Sequence, residues 1–537
     1  MLLAAFGLWD WAVVVGYFVA VAVGGVWVSL RQRRAAAGGG EGGSVGYFLG
    51  GRSMPVWTAV VSIVASSLSA ATFVGVPDLS FGGDLSYWAM SLGGLVSVLI
   101  VAVVFVPRLY AAGTVTIYGF LAQRYGEGAR LAVSLTFLFG RMLASGARLF
   151  LAAIPLSLLL WSTTTPTTGQ LVLAIVLIGG VVTVYTVTGG VRAVVWLDVL
   201  QLGVVVLAAG MTVAVLLGRI PLSVGEIGSL LASAPVGEAG GSKLTVFSLS
   251  TDPTRAFTLW TALIGGVLLS TASLGTDHDL AQRFLIVKSA TRGAVSVVLS
   301  QLLAIVVVGL FLAIGLLLYV FYRRPDVMGV SLEHPATGVY PYFLMTQMPP
   351  LVGGLCIAGF FAIAQGSMDS AVNALAASAV SDVVNPLRRR LGLPVDESSE
   401  RAGKWAVGVV GVTMCLFAIG CALTYDPASR TLLDFALGVM TFAFTGMLAV
   451  FLTALLTSRG STWSVVAALV AGAATVALLQ DSVLAWWSVR LLGAESPWRL
   501  AWPWWMTVGT AVAFAVCVMG RRAETERAET ERVEAGR

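Results

Sequence analysis

The stretch AIAQGSMDSAVNA (362–374) places Gln365, Ser367, Asp369, Ser370 and Asn373 inside a long apolar run from Leu351 to Val384. An ionised carboxylate at the centre of a membrane helix costs about 2.5–3.5 kcal/mol, so Asp369 needs a chemical reason. Ser367 and Ser370 are three residues apart, and Gly366 and Ser370 four apart. These positions therefore share one helix face, with Asp369 beside it. Hard cations prefer oxygen ligands. Hydroxyls and a carboxylate, joined by carbonyls that a broken helix sets free, make a site for a small cation such as Na+.

Other polar groups sit at membrane depth. SIVASSLSAATFVGVPD (62–78) holds Ser62, Ser66, Ser67, Ser69 and Thr72, followed by Pro77 and Asp78. A single hydroxyl of this kind serves a close helix contact or bonds back to a carbonyl one turn earlier; five together fit that role less well. About 200 residues on, LLSTASLGTDHDLAQR (268–283) repeats the pattern with Ser270, Thr271, Ser273 and Thr276 before Asp277, His278 and Asp279. Interrupted helices at matching positions of two halves mark inverted-repeat transporters. In YTVTGGVRAVVWLDVLQ (185–201), Gly189–Gly190 makes a tight turn. Asp198 follows roughly 12 Å into the next helix at 1.5 Å per residue. It is either the partner of a neighbouring Arg or backbone amide, or part of a cation path. Arg141 and Arg148 stand seven residues apart, on one face of another apolar segment. Each needs an anion: a structural carboxylate, or the carboxylate of a substrate.

These residues need elements to hold them. Of 537 residues, 58% are hydrophobic and only 11% charged, against about 25% charged in soluble domains; mean hydropathy is +0.91. Apolar runs recur as far as Met519. They predict an all-α polytopic membrane protein, and the ten-residue alternation of a membrane β-barrel is missing. Thirteen spans are expected, with cores near 11–30, 55–77, 87–112, 131–160, 169–188, 193–218, 257–277, 293–322, 350–380, 404–423, 431–457, 463–480 and 503–520.

Basic residues crowd the loops after spans one, three, seven, nine and thirteen, including Arg31, Arg33, Arg34, Arg108, Arg124, Arg130, Lys288, Arg292, Arg388, Arg389, Arg390, Arg521 and Arg522. The positive-inside rule then puts the N-terminus outside the cell membrane and the C-terminus in the cytoplasm. No Lys or Arg precedes Trp9 to form the basic region of a cleavable signal, so the first apolar run is read as a helix that stays. RRAAAGGGEGGSVG (33–46) reads as a flexible loop, and the tail 521–537, with its AETER repeat, as a charged solvated end.

Several function classes fall away. Cys356, Cys415, Cys421 and Cys517 lie in or beside apolar segments without metal-type spacing, and two histidines, His278 and His334, are too few for a metal cluster. No nucleophile–base set converges, so no enzyme is expected. The net charge of +5 is spread over short loops, which sets membrane topology and speaks against nucleic-acid binding. The expected partners are a small solute, Na+ and the lipid bilayer.

The same stretches resemble the sodium:solute symporter family along about 47–457. YFLGGRSMPVW (47–57) is similar to the approach to that family's first core helix, and ASSLSAATFVGVP (65–77) to the broken helix itself. TIYGFLAQRYG (116–126), TVTGGVRAVVWLDVLQ (186–201), TDPTRAFTLWTALIGG (251–266), GTDHDLAQRFL (275–285) and GSMDSAVNALAASAVSDVV (366–384) resemble further family segments in the same order.

The resemblance implies a LeuT-type core of five plus five inverted-repeat helices over 51–457. A first helix and cytoplasmic loop (1–50) precede it; two peripheral helices (458–520) and the tail (521–537) follow. It implies Na+-coupled symport of a small organic solute by alternating access. The main Na+ site falls on carbonyls of Ala65 and Leu68 and on Ile363, Gly366 and Ser367; Gly366 departs from the family by lacking a hydroxyl. A second Na+ site, present in some members, falls on Asp198, Asp369 and Ser370. The solute site falls on Ser67, Ser69, Thr72, Tyr87, Trp88, Arg148, Thr271, Thr441 and Phe442. Sodium–proline members carry an acid where this chain has Ser67, and sugar members carry one in the segment 87–107, which has none. Arg148 points to a solute bearing a carboxylate. The alternatives are H+ coupling through Asp198 or Asp369 on the same fold, or a sugar or amino-acid solute.

Overall fold

Inside hydrocarbon every backbone polar group must be satisfied within its own segment, and helices do that along nearly the whole chain. The computed structural model describes residues 7–37, 44–161, 166–236, 241–329, 338–395, 400–424, 432–490, 493 and 495–520. Among these, a two-residue ribbon pairing Pro235 with Ser242 is the only β structure. The helices that build the site are α1 (Leu8–Ala37), α2 (Val56–Ser67), α3 (Ala70–Gly82), α4 (Ser86–Ala112), α5 (Glu127–Trp161), α6 (Thr168–Val187), α7 (Gly190–Arg219) and α8 (Leu259–Thr276). They continue with α9 (His278–Leu285), α10 (Ala290–Arg323), α11 (Val352–Ser378), α12 (Glu400–Thr424), α13 (Leu432–Leu456), α14 (Thr462–Leu479) and α15 (Trp502–Val518).

Among the described residues, ten helices are long and apolar enough to cross a membrane, or eleven if α2 and α3 form one bent span. The expected number was thirteen. The two others expected fall on the apolar helices α13 (Leu432–Leu456) and α15, the latter 17 residues long. α1 runs on to Ala37 and a short helix spans Ser44–Leu49; 38–43, His334 and the tail 521–537 lie outside the described residues.

Contacts between helix ends define two faces. On one, Lys243 donates to the carbonyls of Ser80, Phe81 and Gly83, Asp78 Oδ1 accepts from Val339 N–H, and Ala501 N–H donates to Pro253 O. On the other, Met54 N–H donates to Ile286 O, Tyr110 to the carbonyls of Phe284 and Val287, Arg192 to Gly50 O, and Tyr125 to Arg459 O. This second face carries most of the loop arginines.

The two five-helix halves begin alike, each with an interrupted span. Leu68 (ψ 152) and Ser69 (φ −146, ψ 169) are extended, and α2 meets the following helix at 66°. Ser67 Oγ closes α2 on Val64 O at 2.8 Å, and Ser69 N–H donates to Thr72 Oγ1 at 3.3 Å to start α3. In the second half Asp277 (φ −85, ψ 117) interrupts the helix, and its Oδ1 caps α9 by accepting from Asp279 N–H at 3.0 Å. The expected Gly189–Gly190 turn is present: Gly190 has φ 54, and a Cβ there would lie 2.9 Å from Tyr47 O. Only glycine combines that conformation with that approach.

α11 is the central helix, with 94% of its most apolar stretch buried inside the protein. Its polar residues never meet lipid, which resolves the cost that Asp369 poses. α1 packs across the α6–α7 pair and α11. Asp10 Oδ1 accepts from Leu351 N–H (2.9 Å) and Gly354 N–H (2.8 Å) at the start of α11, where a carboxylate opposes the positive end of the helix dipole.

Candidate cation and solute site

The break between α2 and α3 meets α7 and α11 in a layer of oxygens. A Cβ built on Gly366 would lie 3.0 Å from Gln201 Oε1 and 3.6 Å from both Ala65 O and Asp198 Oδ1. Asp198 is fully buried; its Oδ2 accepts from Ser62 Oγ at 2.5 Å, and its Oδ1 has no hydrogen-bond partner. Among the described residues, neither an arginine nor a backbone amide is among its hydrogen bonds or ion pairs. Asp369 is also fully buried. Its Oδ2 accepts from Tyr185 OH at 2.7 Å, and its Oδ1 is without a partner. Ser367 Oγ donates back to Ala364 O at 3.1 Å, which leaves its own lone pairs available. Leu68 and Ile363 are buried in the adjoining core. Carbonyls, a hydroxyl and carboxylates, with no sulfur or imidazole among them, suit a hard cation.

Ser370 turns elsewhere. Its hydroxyl donates to Asp279 Oδ2 (3.2 Å) and to Ser367 O (3.4 Å), so it joins an ionic cluster toward the basic face. There Arg141 donates to Asp277 Oδ2 at 2.9 Å and to Asp279 Oδ2, and Arg283, also fully buried, lies 3.9 Å from Asp279 Oδ1. A neighbouring polar chain runs from Asn373 to Gln282 Oε1 (3.1 Å) and from Gln282 to Phe48 O (2.6 Å).

Two cavities flank the break. The larger, about 290 Å³, is lined by Ser67, Leu68, Ser69, Thr72, Tyr87 and Arg148, among others, and reaches Phe257 and Trp502. The second, about 220 Å³, reaches Arg141, Ser273 and Leu280 on the basic side. Both include Ser67, Arg148, Ser270, Gln301 and Met440. Arg148 donates to Met440 Sδ at 3.0 Å and forms no ion pair among the described residues. The question left open by the two arginines is thus divided: Arg141 has structural carboxylates, and Arg148 faces the cavities.

Four residues expected in the solute site line neither cavity. Trp88 Nε1 donates to Ile305 O at 3.2 Å, and Thr271 donates to Ser97 Oγ at 3.0 Å, each fixing a helix contact. Thr441 and Phe442 stand beside Met440, but Met440 and Phe444, one turn apart, present the face that lines the cavity. Gln201, Tyr185 and Gln301 were not singled out from the sequence. For Gln201 a signal existed: it lies three residues after Asp198, on the same face of α7.

The sodium:solute symporter family profile matches residues 47–472. The human sodium/iodide cotransporter is 28% identical over 390 residues, 72% of this chain and 57% of its own length. Human sodium-coupled monocarboxylate transporter 1 is 29% identical over 430 residues, 78% of this chain and 65% of its own. The chain therefore spans less than two thirds of either relative. The sodium/sialic acid symporter SiaT of Proteus mirabilis is 26% identical over 453 residues, covering 83% of this chain and 85% of its own. Among solved structures, a substrate-bound, outward-open Na+-coupled sialic acid symporter superposes with a TM-score of 0.78 at 22% identity, covering 96% of this chain and 98% of its own.

Proposed function

The chain belongs to the sodium:solute symporter family, and from that premise we propose that it carries a small, carboxylate-bearing organic solute into the cell together with Na+, by alternating access. One observation carries this reading: a single helix break serves both cargoes. Ala65 turns its carbonyl toward Gly366, while Ser67 and Ser69, two and four residues on, line the cavity that holds Arg148. A cation held on one side of the break and a solute on the other are then coupled through a few backbone torsions.

The residues take these roles. Carbonyls of Ala65, Leu68 and Ile363 and the hydroxyl of Ser367 hold Na+ at the main site, with Asp198 supplying charge. Asp369 sits beside them as the acid of a second cation position. Arg148 binds the solute's carboxylate, with Ser67, Ser69, Thr72 and Tyr87 around it. The relatives' named cargoes, iodide, monocarboxylate and sialic acid, are anions at neutral pH, in keeping with an arginine that lacks an acid of its own. The ten-helix core occupies 51–457, with α1, α14 and α15 peripheral. The arginine-rich face is cytoplasmic, which places the N-terminus outside.

Uptake into proteoliposomes of a panel of labelled carboxylates tests this. An inward Na+ gradient is expected to drive accumulation of a carboxylate. Accumulation that ignores Na+, or that follows a pH gradient without Na+, would overturn it.

A further inference from the structure

We propose that a groove between α1, α5, α6 and α11 is a binding site for one acyl chain of a membrane lipid. It encloses about 230 Å³, separate from the two cavities at the helix break, and its ten lining side chains are all aliphatic or aromatic. Each helix supplies one stripe. Trp11, Val14 and Phe18 recur at i, i+3 and i+7 on α1, and Ile357 and Phe361 stand four apart on α11. Three observations identify the occupant. First, the groove has a buried floor and an exposed mouth. Val14, Ile178, Ile357 and Phe361 are 2–4% exposed, whereas Trp11, Leu177 and Val181 are 36–46% exposed. The mouth continues into exposed apolar surface on both sides, with Val15 and Val19 on α1 and Leu173 and Val176 on α6. Such a surface, on helices long enough to cross a membrane, faces lipid tails.

Second, the depth is that of lipid chains. Asp10 accepts from Leu351 N–H and Gly354 N–H, so α1 and α11 start level with one another. Val14 and Phe18 on α1, and Ile357 and Phe361 on α11, lie roughly 8–15 Å below those starts at 1.5 Å per residue. The hydrocarbon core is about 30 Å thick, which gives each leaflet about 15 Å. The groove therefore sits among the chains of one leaflet, out of reach of head groups and of water-borne solutes. Third, its buried floor cannot hold water. A buried water needs about two to four polar partners, and apolar cavities stay dry and admit apolar molecules; the floor offers no hydroxyl, amide or charge. A hydrocarbon chain restores the dispersion contacts that a void forfeits, and lipid chains are the molecules that surround the mouth.

The test uses the purified full-length chain in phosphatidylcholine vesicles doped with a phosphatidylcholine whose acyl chain ends in a photoactivatable diazirine. After irradiation, adducts are mapped by peptide mass spectrometry. Adducts on Ile357 and Phe361 are expected, because a lipid that only surrounds the protein cannot touch side chains 2–3% exposed. Phe139, Val184 and Leu207, exposed elsewhere on α5, α6 and α7, report the surrounding lipid, and fully buried Leu375 on α11 reports the background. Ile178→Trp and Val14→Phe each add bulk inside the groove. Both are expected to lose the adducts at Ile357 and Phe361 and to keep those at the three exposed residues. Val14→Phe is the smaller change and decides the matter if Ile178→Trp does not fold. Labelling of Ile357 and Phe361 no higher than that of Leu375, or labelling that persists unchanged in a folded groove-filling variant, would overturn the proposal. Absence of adducts from Trp11 and Leu177 as well would mean that protein, from this chain or a second copy, covers the mouth, and would overturn it equally.

Discussion

Arg141 and Arg148 lie two turns apart on α5, and the fold treats them in opposite ways. Arg141 is enclosed by Asp277 and Asp279 at the break between α8 and α9. Arg148 meets a methionine sulfur and two cavities. The first region is dense, mutually satisfied and locked; the second is roomy, lined by hydroxyls, and holds a cation without an acid. Residue type and helix position are nearly the same in the two cases. What differs is what other helices bring, and that sets one arginine to hold the structure and leaves the other for a ligand.

Breaking the first region should have the largest effect. Arg141→Met takes the close ion pair from buried Asp277 and leaves Asp279 only Arg283 at 3.9 Å, a loss of about 3–5 kcal/mol for one broken buried pair. A large fall in unfolding temperature, or failure to fold, is expected in detergent. Arg148→Met should leave basal stability within about 1 kcal/mol, since it removes an unpaired buried charge. The same variant should weaken solute binding by about 1.5–3 kcal/mol, the range for hydrogen bonds to a charged group, measured as lost solute-dependent stabilisation. If both arginines prove equally destabilising on removal, the contrast fails.

Ser367→Ala probes the cation layer between the two regions. It should raise the Na+ needed for half-maximal uptake several-fold, corresponding to about 1 kcal/mol, without changing the stability of the Na+-free protein. An unchanged Na+ requirement would remove Ser367 from the site.

The smallest effect concerns a third cation, Lys243. Three carbonyls hold it: Ser80, Phe81 and Gly83 accept from its Nζ at 3.0, 2.6 and 2.7 Å, with the Tyr319 ring 4.1 Å away. Burial pulls its ammonium down to about 8, partly opposed by Asp84. Its folded value is thus below the unfolded one, so the unfolded chain binds more protons between about pH 8 and 10.5, and stability rises with pH across that window. Relative to Lys243→Met, the wild type should gain stability between pH 7.5 and 9.5; a relative loss over that range would reverse the sign.

Much of this was legible in the chain itself. Hydroxyls, glycines and acids at membrane depth marked both helix breaks, α7 and α11, because lipid tolerates such groups only for a reason. The partners were not legible. Ser62 with Asp198, Tyr185 with Asp369, and Arg141 with Asp277 join residues 136 to 184 positions apart, and no periodicity within one helix predicts which face of another it meets. Thr271 and Trp88 fall in the solute site by family resemblance; here their side chains bond to Ser97 and Ile305.

The central claim is that Arg148 is a cation kept free for a solute's carboxylate, linked to Na+ across the break between α2 and α3. Thermal stabilisation of the wild type and Arg148→Met by a carboxylate panel, in Na+ and in K+, tests it most directly. The account predicts a carboxylate that stabilises the wild type in Na+ but not in K+, and that leaves Arg148→Met unaffected in either. Equal stabilisation of both proteins, or of the wild type in both salts, would contradict it.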